Sequence, residues 1–508
     1  MSTPPTSRPL TYYLQVLAAA GIVEEAPATE LTQRLPIAFA TDDSRQVQAD
    51  TLFVCKGAQF KRDYLLQARE AGAIAYVATQ DYSVDIPLIR VSDIRRALGV
   101  LALSYYNNPS AQLKIAAFTG TKGKTTCVYY LKHVLDYAAD KHNQPPAGLF
   151  STIEYFDGMQ SGKSTLTTPE AFQLQKQLSN ARDAGLTTVV MEASSQALKY
   201  ERTYGMEFAV GAFTNIGEDH ISPQEHPDFE DYFASKLKLF AQCKTAVVNL
   251  DMKHVERVLD AAGASSQLIS YSLSNPKADV YVEKLSNTHE GMRARVHTPS
   301  FTRDMLIATP VVFNVSNALA TIACALALGL GEAELVHAFE TLRVPGRMEL
   351  YPSADGRILG LVDYAHNGMS LSTLLSDLRN NYPDRELAVV FGATGGKGLD
   401  RRTTMGHAAG KLADRIIVTE DDPGPEDPAD IADAIVSAIK TTGNQNYQVV
   451  LDRVDAIRRC VHETTRPAIV IVTGKGNDNY MLRHGVHEPW IPDGVHLAQA
   501  LEEYAQGL

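Results

Sequence analysis

Thr119-Gly120-Thr121-Lys122-Gly123-Lys124-Thr125-Thr126 lies between an apolar run at 114–118 and a helical stretch at 125–137. Glycines placed this way let backbone N–H groups approach phosphate oxygens, and the start of the following helix adds to the anion nest. Lys124 supplies a mobile positive charge, and the Thr125 hydroxyl is placed to reach Mg²⁺. The glycine spacing is tighter than the general G-x-x-x-x-G-K-[ST] pattern, but the Gly-Lys-Thr ending is intact. The segment therefore reads as an ATP phosphate loop. Glu192 follows the apolar residues 189–191, and a carboxylate at a strand's carboxyl end suits a Mg²⁺ ion. The amide of Asn317, in a long apolar helical stretch, suits adenine's donor–acceptor edge. Asp421 and Asp422 follow another apolar run and would attract an ammonium group while repelling a carboxylate.

These groups need rigid strands and helices to position them. Short apolar runs at 114–118, 187–191, 209–213 and 245–249 alternate with helical stretches, and each ends in a polar or glycine-bearing loop. A second series, at 358–362, 387–391, 415–419 and 468–472, follows Pro345-Gly346-Arg347. Such βα alternation predicts mostly parallel sheets with ligands at the strands' carboxyl ends. The first ~110 residues mix apolar runs at 51–55, 74–77 and 86–91 with helical stretches, and a helix at 94–106 stops at Asn107-Asn108-Pro109. The expectation is an α/β protein of three domains, at 1–112, 113–343 and 344–508.

The chain has 508 residues, and its 45% hydrophobic and 21% charged content is ordinary for a globular protein. Lys plus Arg number 47 against 59 Asp plus Glu, a net charge of −12, which argues against nucleic-acid binding. The five cysteines are scattered, odd in number and without a C-x-x-C pair, as expected in a reducing, cytoplasmic compartment. No signal-peptide pattern opens the sequence, and no apolar run reaches the roughly 18–20 residues of a membrane helix. No heptad pattern points to an oligomer, so a monomer without membrane attachment is expected.

The phosphate loop resembles the G-T-x-G-K-T-T loop of the Mur ligases. Further blocks follow in that family's order: Thr41-Asp42-Asp43-Ser44-Arg45, Thr167-Thr168-Pro169-Glu170, Glu192-Ala193-Ser194-Ser195, Asn215 with Asp219-His220, Asn314 with Asn317, Gly346-Arg347-Met348-Glu349, Asp363-Tyr364-Ala365-His366 and Gly474-Lys475-Gly476. The resemblance implies a three-domain Mur ligase architecture: a UDP-sugar-binding N-terminal domain, a central P-loop parallel-sheet ATPase domain and a C-terminal Rossmann-like domain. It implies an ATP-dependent amide ligase that works through an acyl phosphate on UDP-N-acetylmuramoyl-L-alanyl-D-glutamate.

The resemblance also distributes the roles. Gly120, Thr121, Lys122, Gly123, Lys124, Thr125, Thr126, Asn317, Arg347, Asp363, Tyr364 and His366 contact ATP. Thr125, Glu192, His220 and Lys236 hold Mg²⁺, with Lys236 carbamylated by CO₂; neighbouring Lys238 is the competing lysine. Lys124, Lys236, His220 and Glu192 form the catalytic group. Ser44, Arg45, Thr167, Thr168, Ser194 and Arg202 contact the UDP-sugar-peptide. For the incoming amino acid, Gly424 stands where relatives that add diaminopimelate carry an arginine. Asp421, Asp422 and Asp478 then favour L-lysine, with L-ornithine, since one methylene changes affinity by only about 1–3 kcal/mol, and meso-diaminopimelate as the alternative acceptors. The block 395–401 departs from the family's G-x-R-D, leaving Asp400 and Arg401 as secondary candidates. An amide ligase of the folylpolyglutamate type and a nucleotide-dependent regulator are the alternatives.

Overall fold

A computed structural model describes residues 7–57, 60–217, 221, 225–288, 290–342, 348–396 and 398–507. The chain packs as two compact units, Met1–Tyr281 with Leu319–Leu335, and Val282–Ala318 with Val336–Leu508.

In the first unit, a five-stranded sheet has the order Val23–Glu25, Leu88–Val91, Ala73–Ala78, Thr51–Val54, Phe39–Thr41. All its pairings are parallel except the one with Val23–Glu25. Two of its strands alternate between two cores, as a period of two requires, apart from Ile74 and Ala75, which share one core where the register shifts. Leu52, Val54, Ala75 and Val77 pack with the helices Leu10–Ala19 and Ile94–Tyr105. Phe53, Cys55, Tyr76 and Ala78 pack with Leu65 and Ala68 of the helix Arg62–Glu70.

The same unit holds a larger sheet. Gly148–Phe150, Thr188–Glu192, Lys114–Thr119, Phe208–Phe213, Cys243–Asn249 and Gln267–Ser272 run parallel in that order. Glu154–Phe156 and Ser161–Lys163 add an antiparallel edge. The register sets Glu192 beside Phe118, and Phe213 beside Thr119, so the three central strands end together. Just beyond their ends the helix Lys124–Lys141 begins.

The second unit contains a six-stranded sheet in the order Glu349–Pro352, Ile358–Asp363, Ala468–Thr473, Glu386–Phe391, Arg415–Val418, Tyr447–Val449. Only the first pairing is antiparallel. Every residue of Ile358–Asp363, Glu386–Phe391 and Ala468–Thr473 is buried, as expected of parallel strands covered on both faces. A hairpin, Tyr480–Arg483 with Val486–Pro489, follows. All five cysteines are buried free thiols. Among the described residues no helix is long and apolar enough to cross a membrane.

Candidate active site

Gly120 and Gly123 shape the turn after Lys114–Thr119. Gly120 has φ +146°, and a Cβ there would lie 2.1 Å from Thr214 Oγ1. Gly123, at φ +86°, caps the helix that starts at Lys124. Both positions lie in backbone that favours glycine. The turn is pinned from the neighbouring strand's end. Asn215 Oδ1 accepts from Lys122 N (2.9 Å), its Nδ2 donates to Lys122 O (2.9 Å), and Thr214 Oγ1 donates to the same carbonyl at 2.8 Å. The helix N-terminus thus carries an anion-receptive set of N–H groups on a braced loop.

Three separately encoded side chains meet at this loop. Glu192, 1% exposed, accepts on Oε1 from Thr125 Oγ1 at 2.9 Å and from Thr152 N and Oγ1 at 2.7 and 3.0 Å. Its Oε2 accepts no hydrogen bond from any described residue. Lys124 Nζ and Lys236 Nζ each donate to Gly120 O at 2.9 Å. Lys236 is 1% exposed and lies over the Tyr232 ring, 4.6 Å from its centroid. An open carboxylate oxygen beside a threonine hydroxyl fits a hard, oxygen-seeking cation such as Mg²⁺. His220 and Arg347 lie outside the described residues.

Beside Glu192, Thr168 is fully buried, its hydroxyl donating to Glu192 O (2.8 Å) and accepting from Ser194 N (3.0 Å). Ser194 Oγ caps the helix Ser195–Lys199. Thr167 Oγ1 lies 3.2 Å from Thr152 Oγ1. Arg202 donates to Thr168 O (3.1 Å) and pairs with Glu170 (2.7 Å), while its buried Nε has no partner among the described residues. Lys56 ties Glu170 (2.7 Å) to Asp42 (3.0 Å). Sequence reasoning assigned Lys56, Glu170 and Thr152 no role. They are ordinary polar residues, and only the fold makes them neighbours.

A cavity of about 450 Å³ opens beside this ion-pair chain, lined by Asp43, Ser44, Arg45, Lys56 and Glu170 with Phe39, Phe53, Phe60 and Tyr64. Arg45 is exposed and folds back on Asp43, donating through Nε and Nη2 at 2.9 and 2.8 Å. These bonds hold the Asp43 carboxyl down at about 2.

In the second unit, Asp363 ends its strand and accepts from Met348 N (3.1 Å) and Ala365 N (2.8 Å). His366 Nδ1 lies 2.7 Å from Tyr364 O, and Tyr364 OH 3.5 Å from Asp478. Asn317 Nδ2 donates to Asn314 Oδ1 at 2.9 Å. Asp422 and Asp478 meet at Lys475, a 1%-exposed lysine whose Nζ lies 2.8 and 3.3 Å from their carboxylates. In the sequence Lys475 stands out only as part of a glycine-flanked block, with nothing to signal its burial. Asp421 is buried, and desolvation outweighs nearby Arg453 and Lys475 to push its carboxyl up to about 6. Gly424, at φ +62°, donates to Leu482 O at 2.9 Å and sits in a left-handed backbone. Arg401 N donates to Gly398 O at 2.9 Å near the start of the helix Asp400–Leu412.

Comparison with known proteins agrees with this geometry. The Mur ligase middle domain matches residues 118–325, and the Mur ligase glutamate ligase domain matches 346–476. The chain is 37% identical, over 89% of both chains, to the UDP-N-acetylmuramoyl-L-alanyl-D-glutamate–L-lysine ligase of Enterococcus faecalis (strain ATCC 700802 / V583). It is also 37% identical to the UDP-N-acetylmuramyl-tripeptide synthetase of Latilactobacillus sakei subsp. sakei (strain 23K), covering 91% of this chain and 93% of that one. A solved UDP-N-acetylmuramoyl-L-alanyl-D-glutamate–2,6-diaminopimelate ligase superimposes with TM-score 0.71 at 26% identity, covering 99% of this chain and all of that one.

Proposed function

Since the chain belongs to the Mur ligase family, we infer that it joins L-lysine to UDP-N-acetylmuramoyl-L-alanyl-D-glutamate, converting ATP to ADP and phosphate. The observation that carries this reading is the 37% identity, sustained over 89% of both chains, to a ligase of that name. The reaction belongs to peptidoglycan precursor synthesis.

The chemistry follows from what must be gathered. The D-glutamate side-chain carboxylate attacks the γ-phosphorus of ATP, giving an acyl phosphate and ADP. The amine of the incoming amino acid then attacks the acyl carbon, and phosphate leaves. Residues 120–126 cradle the triphosphate, and Lys124 offsets charge on the transferring phosphoryl group. Thr125, Glu192, His220 and a carbamylated Lys236 are the proposed Mg²⁺ ligands, and the ion when bound would neutralise phosphate charge. Arg347, Asp363, Tyr364, His366 and Asn317 are proposed as further nucleotide contacts. Ser44 and Arg45 hold the UDP-sugar; Thr167, Thr168, Ser194 and Arg202 hold its peptide. The division into 1–112, 113–343 and 344–508 belongs to the same reading.

The acceptor is set by charge. With Gly424 at the position of the diaminopimelate-clamping arginine, a distal carboxylate lacks a cation there, whereas Asp421, Asp422 and Asp478 suit an ammonium. The test is phosphate release with ATP, Mg²⁺ and the UDP-linked dipeptide, adding lysine, ornithine or diaminopimelate singly. Release driven by lysine is expected. Release driven only by diaminopimelate would reverse the acceptor assignment, and release indifferent to acceptor would remove the ligase. Native mass spectrometry in bicarbonate should find one CO₂ on Lys236, absent in Lys236→Ala.

A further inference from the structure

His226 is a fully buried histidine with no part in the chemistry above. Both ring nitrogens are engaged: Nδ1 lies 2.6 Å from Asp231 Oδ2, and Nε2 lies 3.0 Å from Ser195 Oγ. The Tyr232 ring stands edge-on to the imidazole at 5.2 Å. Lys199 Nζ reaches the same Asp231 oxygen at 2.6 Å and Glu225 O at 3.1 Å, so the carboxylate's charge is met from two sides. A serine–histidine–aspartate chain can activate a nucleophile. Here, however, Ser195 is only 5% exposed, in the first turn of its helix, with its hydroxyl at the ring.

What the chain joins is more informative. Ser195 opens the short helix directly after Glu192-Ala193-Ser194. Asp231 lies on the helix Phe229–Leu237, which also carries Lys236. We propose that His226 is a positioning residue for the phosphoryl-transfer centre, a strut fixing the separation between the strand end that presents Glu192 and the helix that presents Lys236. The proposal rests on the reading that these two residues hold Mg²⁺. That ion demands near-octahedral geometry at about 2.0–2.1 Å, so ligands from two elements must be held to a few tenths of an ångström. A loosened strut therefore weakens metal binding first and leaves the lysine site untouched.

The test uses full-length His226→Ala, His226→Gln and Ser195→Ala. For each, the Mg²⁺ dependence of phosphate release, KM for lysine and Mn²⁺ binding with ADP by electron paramagnetic resonance are measured. His226→Ala should raise the half-saturating Mg²⁺ and the Mn²⁺ Kd about tenfold, with KM for lysine within twofold. Ser195→Ala should move both metal readouts about threefold in the same direction. His226→Gln, which keeps a polar donor and acceptor, should recover most of the loss. Unchanged metal affinity in a folded His226→Ala overturns the strut. Should that variant fail to fold, unchanged metal affinity in Ser195→Ala does the same. If the wild type binds Mn²⁺–ADP but shows no lysine-driven release, the ligase reading falls, and the metal measurements still decide the strut.

Discussion

Two lysine amines directed at one carbonyl oxygen define the centre at the scale of single residues. Lys124 and Lys236 both donate to Gly120 O, each at 2.9 Å. Carbamylation would turn one of them into an anion. Lys236→Arg keeps the positive charge and cannot take up CO₂; it should lower kcat at least a hundredfold, measured by phosphate release, with near-native KM for lysine. Asp421 makes a pH prediction. Its folded carboxyl titrates near 6 against 3.8 in the unfolded chain, so the folded state binds this proton more tightly. Its contribution is most favourable below about pH 4, fades between about 4 and 6, and becomes a full penalty above that, of at most about 3 kcal/mol. Asp421→Asn should therefore raise Tm at pH 8 more than at pH 4 while weakening lysine use. The sequence displayed Lys124, Glu192 and Asp421 because a glycine loop or strand end surrounds each. It hid Lys56, His226 and Lys475, each of which takes one partner from a distant segment, Glu170, Ser195 and Asp422 respectively.

At the scale of elements, the apolar runs located most of the parallel strands to within a residue or two, since strands covered on both faces read as unbroken Val, Ile and Ala, but Phe39–Thr41, Gly148–Phe150, Gln267–Ser272 and Tyr447–Val449 were missed. The edge pair Glu154–Phe156 and Ser161–Lys163 and the hairpin at Tyr480–Arg483 escaped notice, being short and partly exposed. One buried ion pair organises the ends of two strands in the second unit. Arg453 and Asp493, both at 0% exposure, pair at 2.7 Å, and Arg453 also donates to Glu420 O and Thr473 O. Those carbonyls immediately precede Asp421 and Gly474. Arg453→Leu strands a buried carboxylate and should cost about 3–5 kcal/mol in denaturant melts. The double change Arg453→Leu with Asp493→Leu should recover part of that loss.

At the scale of the whole molecule, two units of this size need not melt as one. The UDP-linked dipeptide at a hundred times its Kd should stabilise the unit containing the cavity by about 2.7 kcal/mol, and calorimetry should show that transition shifting upward. The βα alternation disclosed the two series of parallel strands. The exact division of the chain was less legible, because the helix Val312–Ala327 carries apolar residues straight through it.

The five interior thiols turn the native chain into its own stopwatch. Cys55, Cys127, Cys243, Cys324 and Cys460 are distributed over both units, and burial raises the pKa of each. Alkylation must therefore wait for the surrounding structure to open. Timed labelling, resolved peptide by peptide, should chart which region breathes first. Adding nucleotide should slow the label at Cys127, on the helix that begins at the phosphate loop, more than at Cys460.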